Sequence, residues 1–239
     1  MIDEESTKEE VLEAVNQNGE ALQYASDELK NDKEVVLEAL KQNACALEYA
    51  AEELKGDREV VLAAVKKNGF ALQFASNELK GDKEVVLAAV QTSGYALNYA
   101  SDELKADREV VLESVKKCGH SLRDASVELK NDKEVVLEAV KDDGWVLHYA
   151  SVELKNNKEV VVEAVKDCGW ALRDASDTII GEAGKLFAQY VGAINDLEVF
   201  KQNPLMLVHA SEELRNIREN IMSGLGGEKS FCSLFRRNK

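Results

Sequence analysis

Between Thr7 and about Gly181 the chain repeats one arrangement of apolar and polar positions every 25 residues. Glu-Val-Val-Leu starts at Glu34, Glu59, Glu84, Glu109 and Glu134, and Glu-Val-Val-Val at Glu159. A fixed period of this length is the signature of a repeat architecture, and counting from Thr7 gives seven units. The spacing predicts two short helices per unit. The first is opened by Asp32, Asp57, Asp82, Asp107 or Asp132 as N-cap, by Asn157 in the seventh unit, and by a Thr7/Glu10 capping box in the first. Glycine follows at 19, 69, 94, 119, 144 and 169, where a left-handed C-terminal residue is expected. Ala44 takes that place in the second unit and predicts slight strain there.

A second helix is predicted through Ala-Leu-x-Tyr-Ala-Ser-x-Glu-Leu-Lys, with lysines such as Lys80 and Lys105 at its negative end. Helices this short are marginal alone, so their stability must come from stacking unit on unit. In the third unit Val60, Val61, Leu62, Ala64 and Val65 make the first helix apolar around most of its girth, as a helix packed on several sides should be. The expected fold is all-α: an elongated α-solenoid of seven 25-residue two-helix repeats with a helical C-terminal cap.

The unit, seen in Asp82-Lys83-Glu84-Val85-Val86-Leu87, then Gly94, then Ala100-Ser101 with Glu103-Leu104-Lys105, resembles a short helical-hairpin repeat family. That family is a domain of unknown function found in bacterial and protist proteins. The resemblance implies a fold and no activity.

After Asp177 the period fails at Thr178-Ile179-Ile180 and returns at Leu207–Leu214 with ten residues inserted. Glu182 to about Phe200 reads as one longer helix, and Asn203 with Pro204 opens a final one ending before Gly224. Three segments are expected: the solenoid over 1–181, an atypical helical cap over 182–225, and a flexible tail over 226–239. The tail is basic and apolar, and Phe231 to Lys239 is expected to be dispensable for folding and to matter for targeting.

Charge narrows the partners. A formal charge of −15 repels polyphosphate, so no nucleic acid is expected, and a protein or peptide with a basic or apolar contact surface fits better. Cys45, Cys118, Cys168 and Cys232 are scattered without metal or redox spacing, which suits reduced thiols in a cytoplasmic protein. No stretch is long and apolar enough for a transmembrane segment, and the acidic opening does not resemble a secretory signal.

Comparing units separates constant from variable positions. In the third unit Leu72, Ala75 and Leu79 lie on a face nearly constant between units, whereas Phe70, Gln73, Phe74 and Asn77 lie on one that changes. The variable face gathers aromatics and both tryptophans toward its later units. The candidate ligand-binding residues are therefore Tyr95, His120, Arg123, Trp145, His148, Tyr149, Trp170 and Arg173. Against this stands a packing explanation, in which the post-glycine residue folds onto the helix junction and the tyrosine five positions after the glycine fills the groove between units. Asp124 and Asp174 in that tyrosine slot argue that part of the face is wet, because an unpaired buried carboxylate is costly. Cys118, His120, His148 and Cys168 do not form one tetrahedral site, since adjacent units stand about 8–10 Å apart. No catalytic constellation and no cofactor motif is present. The sequence points to a non-catalytic protein-binding scaffold, with a secreted bacterial effector acting in a host cytosol as the alternative and an enzyme behind both.

Overall fold

A computed structural model describes residues 2–168 together with Ala171, Asp174 and Ala175. The expected helical cap and tail lie outside the described residues. All regular structure among the described residues is helical, with no strand. Each repeat begins with a ten-residue α-helix: Lys8–Gln17, Lys33–Gln42, Arg58–Lys67, Lys83–Thr92, Arg108–Lys117, Lys133–Asp142 and Lys158–Asp167. Backbone packing divides the chain into two compact units, the first being Met1–Ala139 and the second beginning at Val140. Within the first unit the long helices pack in succession, repeat against repeat, in solenoid fashion.

The long helices start as expected. Asp32, Asp57, Asp82, Asp107 and Asp132 each accept two backbone N–H bonds in the following turn, and Asn157 does the same. At Thr7 both arms of the capping box are made. One side of each long helix is buried, for example Val60, Val61, Ala64 and Val65, while Glu59, Ala63, Lys66 and Lys67 face outward.

The second helix of each repeat is not continuous, which corrects the expectation of one unbroken helix there. It consists of a 3₁₀ helix (Gly19–Tyr24, Ala44–Tyr49, Gly69–Phe74, Gly94–Tyr99, Gly119–Asp124, Gly144–Tyr149) and a separate single turn (for example Asn77–Lys80 or Asp102–Lys105). Between them the chain is extended, with Ala100 at φ −67°, ψ 159° and Ser101 at φ −62°, ψ 159°. Repeat 1 makes the same break at Ala25 (φ −69°, ψ 159°) and Ser26 (φ −61°, ψ 158°) without an inter-repeat bond at Ser26 among the described residues, and from repeat 2 onward a tertiary bond reinforces it. The amides of Ala51, Ser76, Ser101 and Ser126 are committed to carbonyls of the preceding repeat, at Lys30, Lys55, Lys80 and Lys105, over 2.9–3.0 Å. An amide aimed at a neighbour cannot close an α-helical ring at the same time. In most repeats the serine hydroxyl then caps the turn that follows, as Ser76 does for the Leu79 amide.

The glycines also serve a different purpose from the one expected. The residue at the junction before each is extended rather than left-handed, as at Asn68 with φ −150°, ψ 113°. None of the described junction glycines Gly19, Gly69, Gly94 and Gly144 adopts a positive φ. They are needed because the next repeat's long helix passes too close for a side chain. A Cβ on Gly94 would lie 2.7 Å from the Ser114 carbonyl oxygen, and one on Gly19, Gly69 or Gly144 would press still harder on the carbonyl of Ala39, Ala89 or Ala164. Ala44 breaks this rule, and the structure yields where strain was expected: the long helices of repeats 2 and 3 make the loosest of the successive pairings in repeats 1 to 5. Ala44 itself is buried, at 3% exposure.

The core repeats as regularly as the sequence. Leu22, Leu47, Leu72, Leu97, Leu122 and Leu147, one from each 3₁₀ helix, are fully buried among the valines of the long helices. Repeat 5 carries the two buried polar side chains found among the described residues, Ser114 and Ser121. Both are satisfied: Ser114 Oγ donates to the Gly94 carbonyl and Ser121 Oγ to the Cys118 carbonyl, each at 2.8 Å.

An ionic ladder runs along the N-terminal ends of the long helices. Lys8 bridges Asp32 and Glu34 at 2.7 and 2.8 Å, Lys33 bridges Asp57 and Glu59 at 2.8 Å each, and Lys83 bridges Asp107 and Glu109 at 2.7 and 2.8 Å. Arg58 does the same for Asp82 and Glu84, and Arg108 for Asp132 and Glu134. Each cap aspartate thus ends one repeat boundary and starts the next helix. At Asp32 and Asp57 the lysine hydrogen bond is the largest influence and holds the carboxyl below the usual range, against partial desolvation. At Asp82, Asp107 and Asp132 desolvation by itself pushes upward, but the basic partner and the capped amides together outweigh it.

Two predictions follow from this packing. Replacing Gly69 by alanine should destabilise the protein by about 1–3 kcal/mol, the usual cost of overpacking a tight contact. Thermal melts followed by circular dichroism measure it, and an unchanged melting temperature would show that the long helix of repeat 4 can move away freely. The aspartates make the second prediction. Their folded-state pKa values are depressed, so the unfolded chain binds more protons between the folded and unfolded values, and stability rises with pH across that window. The contribution is complete above the unfolded value of about 3.9 and is lost as pH falls through the folded values. The melting temperature should stay level from neutral pH down to about pH 5 and drop steeply below about pH 4, and Asp82→Asn, which retains a capping oxygen, should make that drop shallower.

Candidate functional site

The 3₁₀ helices carry the variable face. Those of repeats 1 to 5 pack side by side in the first unit. Residues three apart eclipse one another in a 3₁₀ helix, so the post-glycine residue and the one three later form a single outward row, as with Phe70 and Gln73. The two residues between them turn inward: Ala71 and Leu72 are fully buried. Asn77, grouped with this row on the assumption of one continuous helix, belongs instead to the separate turn.

Each unit carries an aromatic cluster on its own 3₁₀ helices. In the first unit Tyr95 stacks on Phe70, with ring centroids 6.5 Å apart and planes 19° from parallel, and Phe70 meets Tyr99 edge-on at 6.5 Å. Phe70 and Tyr95 remain 38% and 40% exposed. In the second unit Trp145, 38% exposed, stacks with His148 at 5.7 Å and meets Tyr149 edge-on at 5.6 Å. His148 Nδ1 lies 3.1 Å from Asp174 Oδ1. His120 is half-buried and Arg123 exposed, with Arg123 Nε 3.2 Å from Asp124 Oδ1. The structure therefore gathers Trp145, His148 and Tyr149, and joins Tyr95 to two residues absent from the sequence-derived set, Phe70 and Tyr99. Both occupy the same slots in their repeats as chosen residues do in theirs, which is the signal that could have included them. Trp170 and Arg173 lie outside the described residues.

The two slots differ in degree. In the tyrosine slot Tyr49, Phe74, Tyr99 and Tyr149 are half-buried and Tyr24 is exposed, whereas the post-glycine rings Phe70, Tyr95 and Trp145 are all about 40% exposed. Asp124 and Asp174 in the tyrosine slot are half-buried as well, and pairing with Arg123 and His148 offsets their desolvation in place of full hydration.

Electrostatics vary along the row. Repeats 1 and 2 present Glu20 and Glu48, both exposed, and Glu20 accepts from Asn43 Nδ2 at 3.0 Å. Partial burial first, then the Glu48 and Glu20 carboxylates, push the Tyr49 hydroxyl above its ordinary pKa. Val127 and Val152 are 76% and 75% exposed in a slot that holds Asp27, Glu52, Asn77 and Asp102 elsewhere.

Among the described residues no group of three or more His, Cys, Asp or Glu side chains is placed to hold a metal ion. Cys45, Cys118 and Cys168 are free thiols. No described helix is long and apolar enough to cross a membrane. A shallow groove of about 290 Å³ lies apart from the aromatic row, lined by Ile2, Ser6, Glu10, Glu13, Ala14 and Gln17. Glu10 there stands where the other long helices carry valine.

No curated protein and no solved structure matches the chain. A family model matches it at residues 7–55, 57–105, 107–155 and 132–180, each match spanning two of the 25-residue repeats. Matched over most of its length by a model of this same repeated unit, the chain belongs to the family described as Domain of unknown function (DUF4116).

Proposed function

We propose that this helical repeat protein is a non-catalytic scaffold that binds a protein or peptide on its 3₁₀ face. One observation carries the reading: Phe70, Tyr95 and Trp145 hold large rings about 40% exposed in a slot where repeat 1 has glutamate and repeat 2 cysteine. The fold tolerates small and polar residues there, so packing alone does not require a ring. Exposed, mutually supported aromatics have little rotamer freedom left to lose and typify the centres of interfaces. The charge of −15 favours a partner with a basic or apolar contact surface.

The test uses the full chain as bait. Phe70→Ala with Tyr95→Ala, and separately Trp145→Ala, should leave the melting temperature within about 5 °C of the parent, because these rings sit outside the core. Each should reduce capture of the parent's partners from a lysate by about tenfold or more, as loss of an interface anchor of about 2 kcal/mol requires. Unchanged capture by both variants with folding intact would place the contact surface elsewhere.

A further inference from the structure

The row of 3₁₀ helices in the first unit changes character along its length. Repeats 1 and 2 present Glu20 and Glu48, followed by exposed Asp27 and Glu52 beyond the Ala-Ser or Ala-Ala break. Beside them lie two phenol rings, Tyr24 at 54% exposure and half-buried Tyr49. Repeats 3 and 4 present the Phe70–Tyr95 stack. Glu52 is paired with Lys55 at 2.8 Å, whereas Glu20 accepts from the Asn43 amide at 3.0 Å, a neutral partner that leaves its charge in place.

Resting on the protein-binding reading, we propose that this row takes an extended peptide segment of a partner, its lysine or arginine held by Glu20 and Glu48 and alternate aromatic or aliphatic side chains seated on Phe70 and Tyr95. Two carboxylates beside the Tyr24 and Tyr49 rings suit a cation, since the carboxylates supply charge and the rings apolar area for the stem. The adjoining stack supplies apolar area with no charge of its own. Spacing favours an extended segment. The Phe70 and Tyr95 centroids are 6.5 Å apart, and two residues of extended chain advance about 6.6–6.8 Å, so alternate side chains meet successive rings.

The experiment selects random displayed peptides of about twelve residues on the immobilised full chain, a length whose extended reach exceeds the row. Selected peptides are then measured by fluorescence anisotropy against the parent, E20K/E48K and F70S/Y95S, with melting temperatures recorded. The expected winners carry Lys or Arg two or four positions from an aromatic or aliphatic residue. E20K/E48K should weaken them by about tenfold or more at low salt and by less at high salt, where screening already removes part of the attraction. F70S/Y95S should weaken them by about tenfold at any salt. Winners without basic residues, or winners that E20K/E48K leaves within about twofold while F70S/Y95S abolishes binding, overturn this inference and leave the protein-binding reading standing. Insensitivity to both variants sinks both readings for this unit. Absence of any enriched peptide, or self-association of the parent that E20K/E48K dissociates, overturns the inference in favour of a folded partner or a second copy of the chain. Because the E20K/E48K changes lie on exposed side chains, the charge test remains available should F70S/Y95S lower folding.

Discussion

The contact between a glycine backbone and the carbonyl of the next repeat's long helix governs the rest of the architecture. At Gly19, Gly69, Gly94 and Gly144 there is no room for a Cβ, and this sets how closely consecutive repeats approach. At these boundaries Leu72 and Leu97 are fully buried and the amides of Ser101 and Ser126 meet carbonyls of the repeat before, and Leu47 and the Ser76 amide keep the same placements at the boundary beside Ala44. The break in the second helix accompanies these contacts, since the extended Ala-Ser step aims an amide at the repeat before, and repeat 1 makes the same break at Ala25 and Ser26. Where Ala44 replaces the glycine, the looser pairing of repeats 2 and 3 shows the same contact from its failure.

Around that contact the repeat assigns several tasks to few residues. A cap aspartate such as Asp57 satisfies two amides of its own helix and receives the lysine of the previous repeat. An exposed ion pair contributes little by itself, but a carboxylate already fixed by capping loses little further entropy on pairing. Asn157 keeps the capping and cannot supply the charge. The buried serines of repeat 5 show similar thrift: both hydroxyls find backbone carbonyls, so polarity enters the core without an unsatisfied group.

The functional reading lives where these constraints end. With Leu72 and Ala71 turned inward, the outward 3₁₀ positions are free of packing demands, and there the repeats diverge from glutamate to phenylalanine, tyrosine, histidine and tryptophan. A rigid backbone with variable outward residues can alter a contact surface one repeat at a time without disturbing its core.

The sequence alone determined the all-α repeat, its period, the helix starts and the buried leucines and valines, because these depend on local capping and on periodicity within one unit. It also located the variable slots, including those of Tyr95, Trp145 and His148. It could not determine why the glycines are there, that the second helix breaks into a 3₁₀ segment and a turn, or that Lys8 and its counterparts tie successive caps together. The glycines and the lysines answer to atoms about one repeat away, Ala89 for Gly69 and Asp32 for Lys8, and the broken helix meets one from repeat 2 onward, as Ser76 meets Lys55. The grouping of Phe70 with Tyr95 was hidden for the same reason, and the pairing of Asp124 and Asp174 depended on side-chain geometry that composition does not contain. Local propensity selects the elements; which amide, carbonyl or ring meets which neighbour is decided only when one repeat packs on the next.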